Sequence, residues 1–179
     1  MDTIYLDLGT PPWALCPGDL GFYSGDNLLE RAIEDIEPGA QGNFVPSHVF
    51  ILLSADHAVE ADATGMVTVV AAGRYIAAGD HVRFFRPLAD VTGDEKLAAL
   101  RWLINTYAGR PYGYANLLGF AVQRLLGLKH NPIDSSSVCS QTAWLYLMHL
   151  RACLVDGIEC EDCDPAKLYG WAVKASALA

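Results

Sequence analysis

Asp134-Ser-Ser-Ser-Val-Cys-Ser-Gln-Thr-Ala-Trp-Leu-Tyr-Leu-Met148 opens as a polar serine run and continues as an amphipathic helix, with Cys139 inside its first turn. Asp134, Ser135, Ser136 and Ser137 are the residue types that accept hydrogen bonds from the free N–H groups at a helix start. Val138, Ala143, Trp144, Leu147 and Met148 supply an apolar face. The unpaired N–H groups and the macrodipole at such a terminus favour an anion, so a thiolate is stabilised there. The plain reading of a lone helical cysteine is a small core residue. Against it stand the polar flanks Ser135 to Ser137 and Ser140-Gln141.

A thiolate nucleophile needs a base. Upstream, Pro46-Ser-His-Val-Phe-Ile-Leu-Leu53 reads as a buried strand of apolar, partly β-branched residues opened by His48. A histidine at the start of a rigid strand, just after a Gly/Pro-containing loop, sits at the rim of a cleft. The other histidines have simpler roles: His57 in a hairpin turn, His81 near a strand start, His130 in a connector and His149 within a helix. Ala58 to Ala63 reads as the hairpin partner of the His48 strand, and the two-residue period puts Glu60 and Asp62 on one side of it. A carboxylate there can accept one imidazole N–H and hold the tautomer whose other nitrogen takes the thiol proton. Glu60 is the expected partner and Asp62 its rival.

Composition bounds the rest. A chain of 179 residues with 52% apolar content is expected to form one domain spanning 1–179, with a core that needs no staple. The net charge of −9 is spread along the chain, and no stretch interleaves basic residues with aromatics. This argues against nucleic acid and anionic lipid surfaces as partners. No apolar run reaches the roughly 20 residues that span a bilayer, so no stable membrane insertion is expected. The first residues, Met-Asp-Thr-Ile-Tyr-Leu-Asp, lack a basic n-region, which makes the cytoplasm the expected location, with delivery by a phage particle as the other route. Cys16, Cys139, Cys153, Cys160 and Cys163 are an odd set that suits a reducing compartment. Cys153, late in its helix, reads as packing, and the single Cys160-Glu-Asp-Cys163 pair lacks the further ligands of a zinc site.

Thr3 to Leu8, the stretch after Cys16-Pro-Gly-Asp19, Met66 to Ala72 and His81 to Leu88 read as further strands, in an antiparallel meander. Asn27 to Ile36 reads as a helix ended by Pro38-Gly39. Thr92-Gly-Asp-Glu95 is a capping box that starts another, with Leu97, Leu100, Trp102, Leu103, Ile104 and Tyr107 at helical spacings. Ala115 to Leu126 is expected to be an apolar helix. The Cys139 helix is expected to end near Val155-Asp-Gly157, and Ala166 to Lys174 to form a terminal helix packing Leu168, Tyr169 and Trp171.

These residues resemble the permuted papain-like cysteine hydrolases of the NlpC superfamily, especially the YiiX-like branch, with lecithin:retinol acyltransferase-type enzymes as cousins. Pro17-Gly-Asp19 resembles the family's opening turn, Ser47-His-Val-Phe-Ile51 its histidine strand, and Val59-Glu-Ala61 the strand with its third polar residue. Gly109-Arg-Pro-Tyr-Gly-Tyr114 and Val138-Cys-Ser-Gln141 resemble the segments leading to and containing the nucleophile. Ordinary members place cysteine before histidine; here His48 and Glu60 precede Cys139, as a circular permutation requires. Glycine stands at 113 where the family pattern has an aspartate after the first tyrosine.

The resemblance implies an α+β, circularly permuted papain-like fold, with an antiparallel sheet packed against helices that include the nucleophile helix. It implies a cysteine amidase or peptidase with a Cys139–His48–Glu60 triad. The substrate would be an amide in a small peptide or a peptidoglycan-like peptide, with no cofactor and no metal. Two other readings stand beside it: a lipid acyltransferase or thioesterase of related fold, and a catalytically silent peptide-binding or phage-structural module.

Overall fold

The structure, a computed structural model, describes residues 4–6, 14–25, 44–62, 64–86, 91–113, 138–150 and 158–176, with some positions between 119 and 132. Six apolar or alternating stretches become strands: β1 (Ile4–Leu6), β2 (Leu20–Tyr23), β3 (His48–Leu52), β4 (His57–Asp62), β5 (Gly65–Ala71) and β6 (Val82–Arg86). They pair antiparallel in one sheet ordered β1-β6-β2-β3-β4-β5. With the helices α1 (Gly73–Ile76), α2 (Gly93–Tyr107), α3 (Cys139–His149) and α4 (Pro165–Ser176), the fold is α+β.

The expected meander holds from β2 to β5 and then breaks. β6 returns across the sheet to pair with β2 instead of β5. The burial of the two strands accounts for this. Val82, Phe84 and Phe85 of β6 are all buried and need neighbours on both sides, whereas the second half of β5 alternates between partial and full exposure, as an edge strand can.

One face of the sheet carries Leu20, Phe22, Val49, Ile51, Val59, Val67 and Phe85. It packs against Ala99, Leu100 and Leu103 of α2, Ala143, Tyr146 and Leu147 of α3, and Leu168, Tyr169 and Ala172 of α4. Each fully buried leucine among them contributes roughly 1.5–3 kcal/mol. The other face carries Phe50, Leu52, Ala58, Val82 and Phe84 under Leu15, Ala72 and Tyr75. By strand alternation His48 and Glu60 belong to this second face.

α2 starts at the capping box expected from Thr92 and Glu95: the Thr92 hydroxyl accepts from the Glu95 N–H at 3.3 Å, and the Glu95 carboxylate accepts from the Thr92 N–H at 2.9 Å. α3 ends at His149, short of the expected Val155, and residues 151–157, Cys153 among them, lie outside the described residues. Tyr146 is fully buried in α3, while Met148, expected on the apolar face, is exposed. The expected helix at Asn27 to Ile36 also lies outside the described residues. The described positions within Ala115 to Leu126 are helical, but Leu125 and Leu126 are exposed instead of packed.

The turn into β2 ties four elements together. Gly18 donates to the Leu52 carbonyl at 2.7 Å, and its own carbonyl accepts from the Tyr146 hydroxyl at 3.3 Å. The buried Asp19 carboxylate accepts from the Cys16 N–H at 2.8 Å and from Arg86 Nε and Nη2 at 2.9 Å each, which binds the turn to β6. Gly18 has φ +89°, and a Cβ built there would lie 2.3 Å from the Tyr146 oxygen and 2.9 Å from Lys96 Cδ. Gly18→Ala therefore combines a left-handed backbone with a clash in a packed corner, and a loss of about 2–4 kcal/mol is expected. Urea denaturation checks this; an unchanged midpoint would show that the corner yields freely.

Candidate active site

Cys139 is the first residue of α3. Val138 holds the N-cap position in an extended conformation and has no side-chain oxygen to serve as a cap; the expected cap falls on Asp134 and the serines. Residues 134–137 lie outside the described residues. Gln141 closes the turn from the other direction, its side-chain oxygen accepting from the Val138 N–H at 3.0 Å. Among the described residues nothing accepts the N–H of Cys139, which lies at the positive end of the helix.

Ser140, Gln141 and Thr142 are all buried. The Ser140 hydroxyl donates to the Cys163 carbonyl at 2.6 Å, the Cys163 thiol donates to the Ser140 carbonyl at 3.6 Å, and the Thr142 hydroxyl donates to the Met66 carbonyl at 3.1 Å. The polarity that follows Cys139 in the sequence therefore anchors the helix start to β5 and to Cys163, just after the turn at Cys160–Asp162. Met66 is held in turn, its N–H donating at 2.9 Å to the carbonyl of Arg110, within the segment expected to lead towards the cysteine.

His48, the first residue of β3, is 15% exposed at its side chain and lies 3.0 Å through Nε2 from Glu60 Oε2. The ladder sets this pair. Phe50 stands opposite Glu60, so His48 is diagonal to it on the same face. The register of β4 shifts between Glu60 and Asp62, and Asp62 turns to the following loop, accepting from the Thr64 N–H at 2.8 Å and the Thr64 hydroxyl at 2.5 Å. Of the two rival carboxylates, Glu60 is the one that meets the imidazole.

Burial by itself would lower the His48 pKa. The charge of Cys139 and a hydrogen bond to its sulfur oppose that, joined by the hydrogen bond and charge of Glu60, and the imidazole is pushed up to about 10. With Nε2 directed at Glu60, Nδ1 is the nitrogen left for the thiol. Burial also acts on the Glu60 carboxylate, in the direction of protonation, yet its pKa is lowered because His48, Tyr75 and Arg74 all donate to it.

Arg74 and Tyr75 carry no signal in the sequence. They sit in α1, four residues long, too short to show a period. Both donate to Glu60, Arg74 Nη2 to Oε1 and the Tyr75 hydroxyl to Oε2, and Arg74 Nη2 also reaches the Tyr75 oxygen at 2.7 Å. The Tyr75 ring stacks on Phe50 at 4.0 Å between centroids and lies nearly parallel to His48 at 5.8 Å.

The other expected residues stand elsewhere. His57 begins β4 instead of sitting in its turn, with Nδ1 3.4 Å from the Ser54 hydroxyl. His81 ends a short turn whose carbonyl accepts from Ser24. His130 meets Asp162 at 2.7 Å, and His149 stacks on Trp102 at 4.2 Å. Among the described residues no three His, Cys, Asp or Glu side chains converge as metal ligands, and no helix is long and apolar enough to cross a membrane. No protein-family model matches the chain, and no curated protein matches it either.

The cysteines differ in surroundings. Cys16 is exposed and Cys163 fully buried. Burial, reinforced by the neighbouring Asp164 charge, raises the Cys163 pKa well above the ordinary thiol value. Iodoacetamide at neutral pH is therefore expected to label Cys16 and to spare Cys163 until denaturant is added. Peptide mass spectrometry reads this directly, and labelling of Cys163 in the folded protein would contradict the burial.

Proposed function

We propose that the protein is a cysteine hydrolase that cleaves an amide bond in a small peptide or peptide-like molecule through an acyl-enzyme on Cys139. The resemblance to permuted papain-like hydrolases of the YiiX-like branch is part of the same proposal. The observation that carries it is the His48 imidazole, which interacts with Cys139 and bonds Glu60 3.0 Å away. Burial alone would leave that ring neutral; the partners on both sides favour its charged form.

In this reading His48 takes the thiol proton through Nδ1. The thiolate attacks the carbonyl carbon, and the oxyanion that forms is met by the Cys139 N–H at the helix start. The C–N bond breaks as the imidazolium gives its proton to the leaving amine. Water then loses a proton to His48 and attacks the thioester carbon; the C–S bond breaks and the thiolate returns to the imidazolium. Glu60 accepts from Nε2 throughout and keeps the ring in place. General acid–base catalysis of this kind contributes about 10²- to 10⁴-fold.

The first test needs no substrate. Iodoacetamide is expected to react at Cys139 at about pH 6, more than two units below where a free thiol ionises. His48→Ala is expected to slow that reaction about 100-fold or more, and Glu60→Ala to slow it less. Because His48 holds its proton up to about 10, amide hydrolysis is expected to fall as the pH rises through that value, where the leaving amine loses its acid. Cys139→Ala is expected to abolish turnover on any amide that the wild type cleaves. A Cys139 that is inert at pH 6 in all three proteins would sink the hydrolase and return the chain to a binding role.

A further inference from the structure

We propose that Arg74 and Tyr75 are positioning residues: together they hold Glu60 as a hydrogen-bond acceptor, and thereby set which nitrogen His48 presents to Cys139. This rests on the hydrolase reading of the site.

The Glu60 side chain is fully buried. A carboxylate in such a place protonates unless enough donors compensate for the lost water. A protonated Glu60 would reverse the hydrogen bond. Its O–H would donate to His48 Nε2, the ring proton would move to Nδ1, and the nitrogen facing the thiol could no longer take a proton. Two donors besides His48 prevent this. The Tyr75 hydroxyl donates to Oε2, the same oxygen that His48 bonds, and Arg74 Nη2 donates to Oε1.

Each donor is itself held. The Tyr75 ring lies on Phe50, with Tyr23 at its edge 5.5 Å away. Its hydroxyl keeps its proton, because burial and the Glu60 charge both push its pKa up, so it remains a donor. Arg74 is half exposed, and its guanidinium carbon lies 4.7 Å from the centre of the Tyr75 ring. One nitrogen serves both Glu60 and the tyrosine oxygen. Asp62, on the same strand as Glu60, is the other carboxylate that feels the Arg74 charge, and Cys139 is the titratable group facing His48 from α3.

The test is the pH profile of Cys139 alkylation in Tyr75→Phe, Arg74→Gln and Arg74→Lys. Phenylalanine keeps the stacked ring and removes only the hydroxyl. At about pH 6, Tyr75→Phe and Arg74→Gln are each expected to slow alkylation about 5- to 10-fold, since a shift of one pKa unit is tenfold in thiolate population. Arg74→Lys is expected to recover most of the rate. Above about pH 9 all three are expected to match the wild type, because the thiol then ionises without help. In a Glu60→Gln background neither substitution is expected to have a further effect, as both act through that carboxylate.

Profiles that overlay the wild type overturn the proposal and leave the hydrolase reading intact. A loss that is equal at every pH overturns it too, because it marks damage to the fold. A wild type unreactive at pH 6 removes the reading beneath it, and the two failures are thus told apart.

Discussion

Glu60 is a carboxylate placed where water cannot reach it, and the second face of the sheet is arranged around that fact. An ion in such a position costs several kcal/mol unless donors surround it. Here they come from three directions: His48 from β3, Tyr75 and Arg74 from the short helix after β5. The aromatic layer serves the same end. Phe50 stands opposite Glu60 in the ladder and supports the Tyr75 ring, and Gly21 on β2 lies opposite Phe50 on its other side. A Cβ at Gly21 would fall 2.1 Å from the Phe50 ring, so the small residue is what lets the phenylalanine lie flat over the neighbouring strand. Packing and electrostatics are therefore one problem at this face, since the Tyr75 ring that fills the space also carries a hydroxyl that donates to the carboxylate.

The opposite end of β3 is built on a second buried carboxylate with a different outcome. Asp19 is satisfied by a bidentate arginine and a backbone N–H, all within the turn and the adjoining strand. Its donors are the Cys16 N–H and Arg86 of β6, and Arg86 also donates to the Ala14 carbonyl, which makes Asp19 a structural clamp on the corner between β2, β3 and α3. His48 lies about 13 Å away along the strand. The contrast shows what separates a clamp from a site. Both carboxylates are buried and both bind an arginine, but only Glu60 also bonds an imidazole, a ring that can take up and release a proton.

Much of this was legible because local physics determined it. The β3 strand follows from continuous apolar residues, β4 from its two-residue period, α2 from its capping box, and the placing of Cys139 at a helix start from the change from serines to an amphipathic period. Choosing between Glu60 and Asp62 needed the register, because a two-residue period puts them on one side and only the ladder and the Thr64 turn tell them apart. Ser140 and Gln141 have a structural part as well. Their polarity suggested a site, and both are buried with hydrogen bonds that fix the helix start. The return of β6 to β2 was not legible, since both edges of the meander offer the same backbone groups and only side-chain burial on both faces selects one. Arg74 and Tyr75 were invisible because a single helical turn has no period and their partner lies on another strand.

The order of the chain also has a physical consequence. His48, Glu60, Arg74 and Tyr75 lie within one run of hairpin and turn, His48 and Glu60 separated by 12 residues and Tyr75 by a further 15. Pairing β3 with β4 brings the imidazole to the carboxylate, and the turn after β5 adds the two donors, all through short loop closures with a small entropic cost. The thiol comes from a helix far along the chain and meets this group only when α3 packs on the opposite face of the sheet. The geometry of the imidazole is thus set by local pairing and aromatic stacking, while the placing of the sulfur is set by helix packing and the anchors at Ser140 and Thr142. Two sets of forces that share few residues control the two halves, so a change in one can alter the tautomer and charge of His48 without moving the helix that carries Cys139.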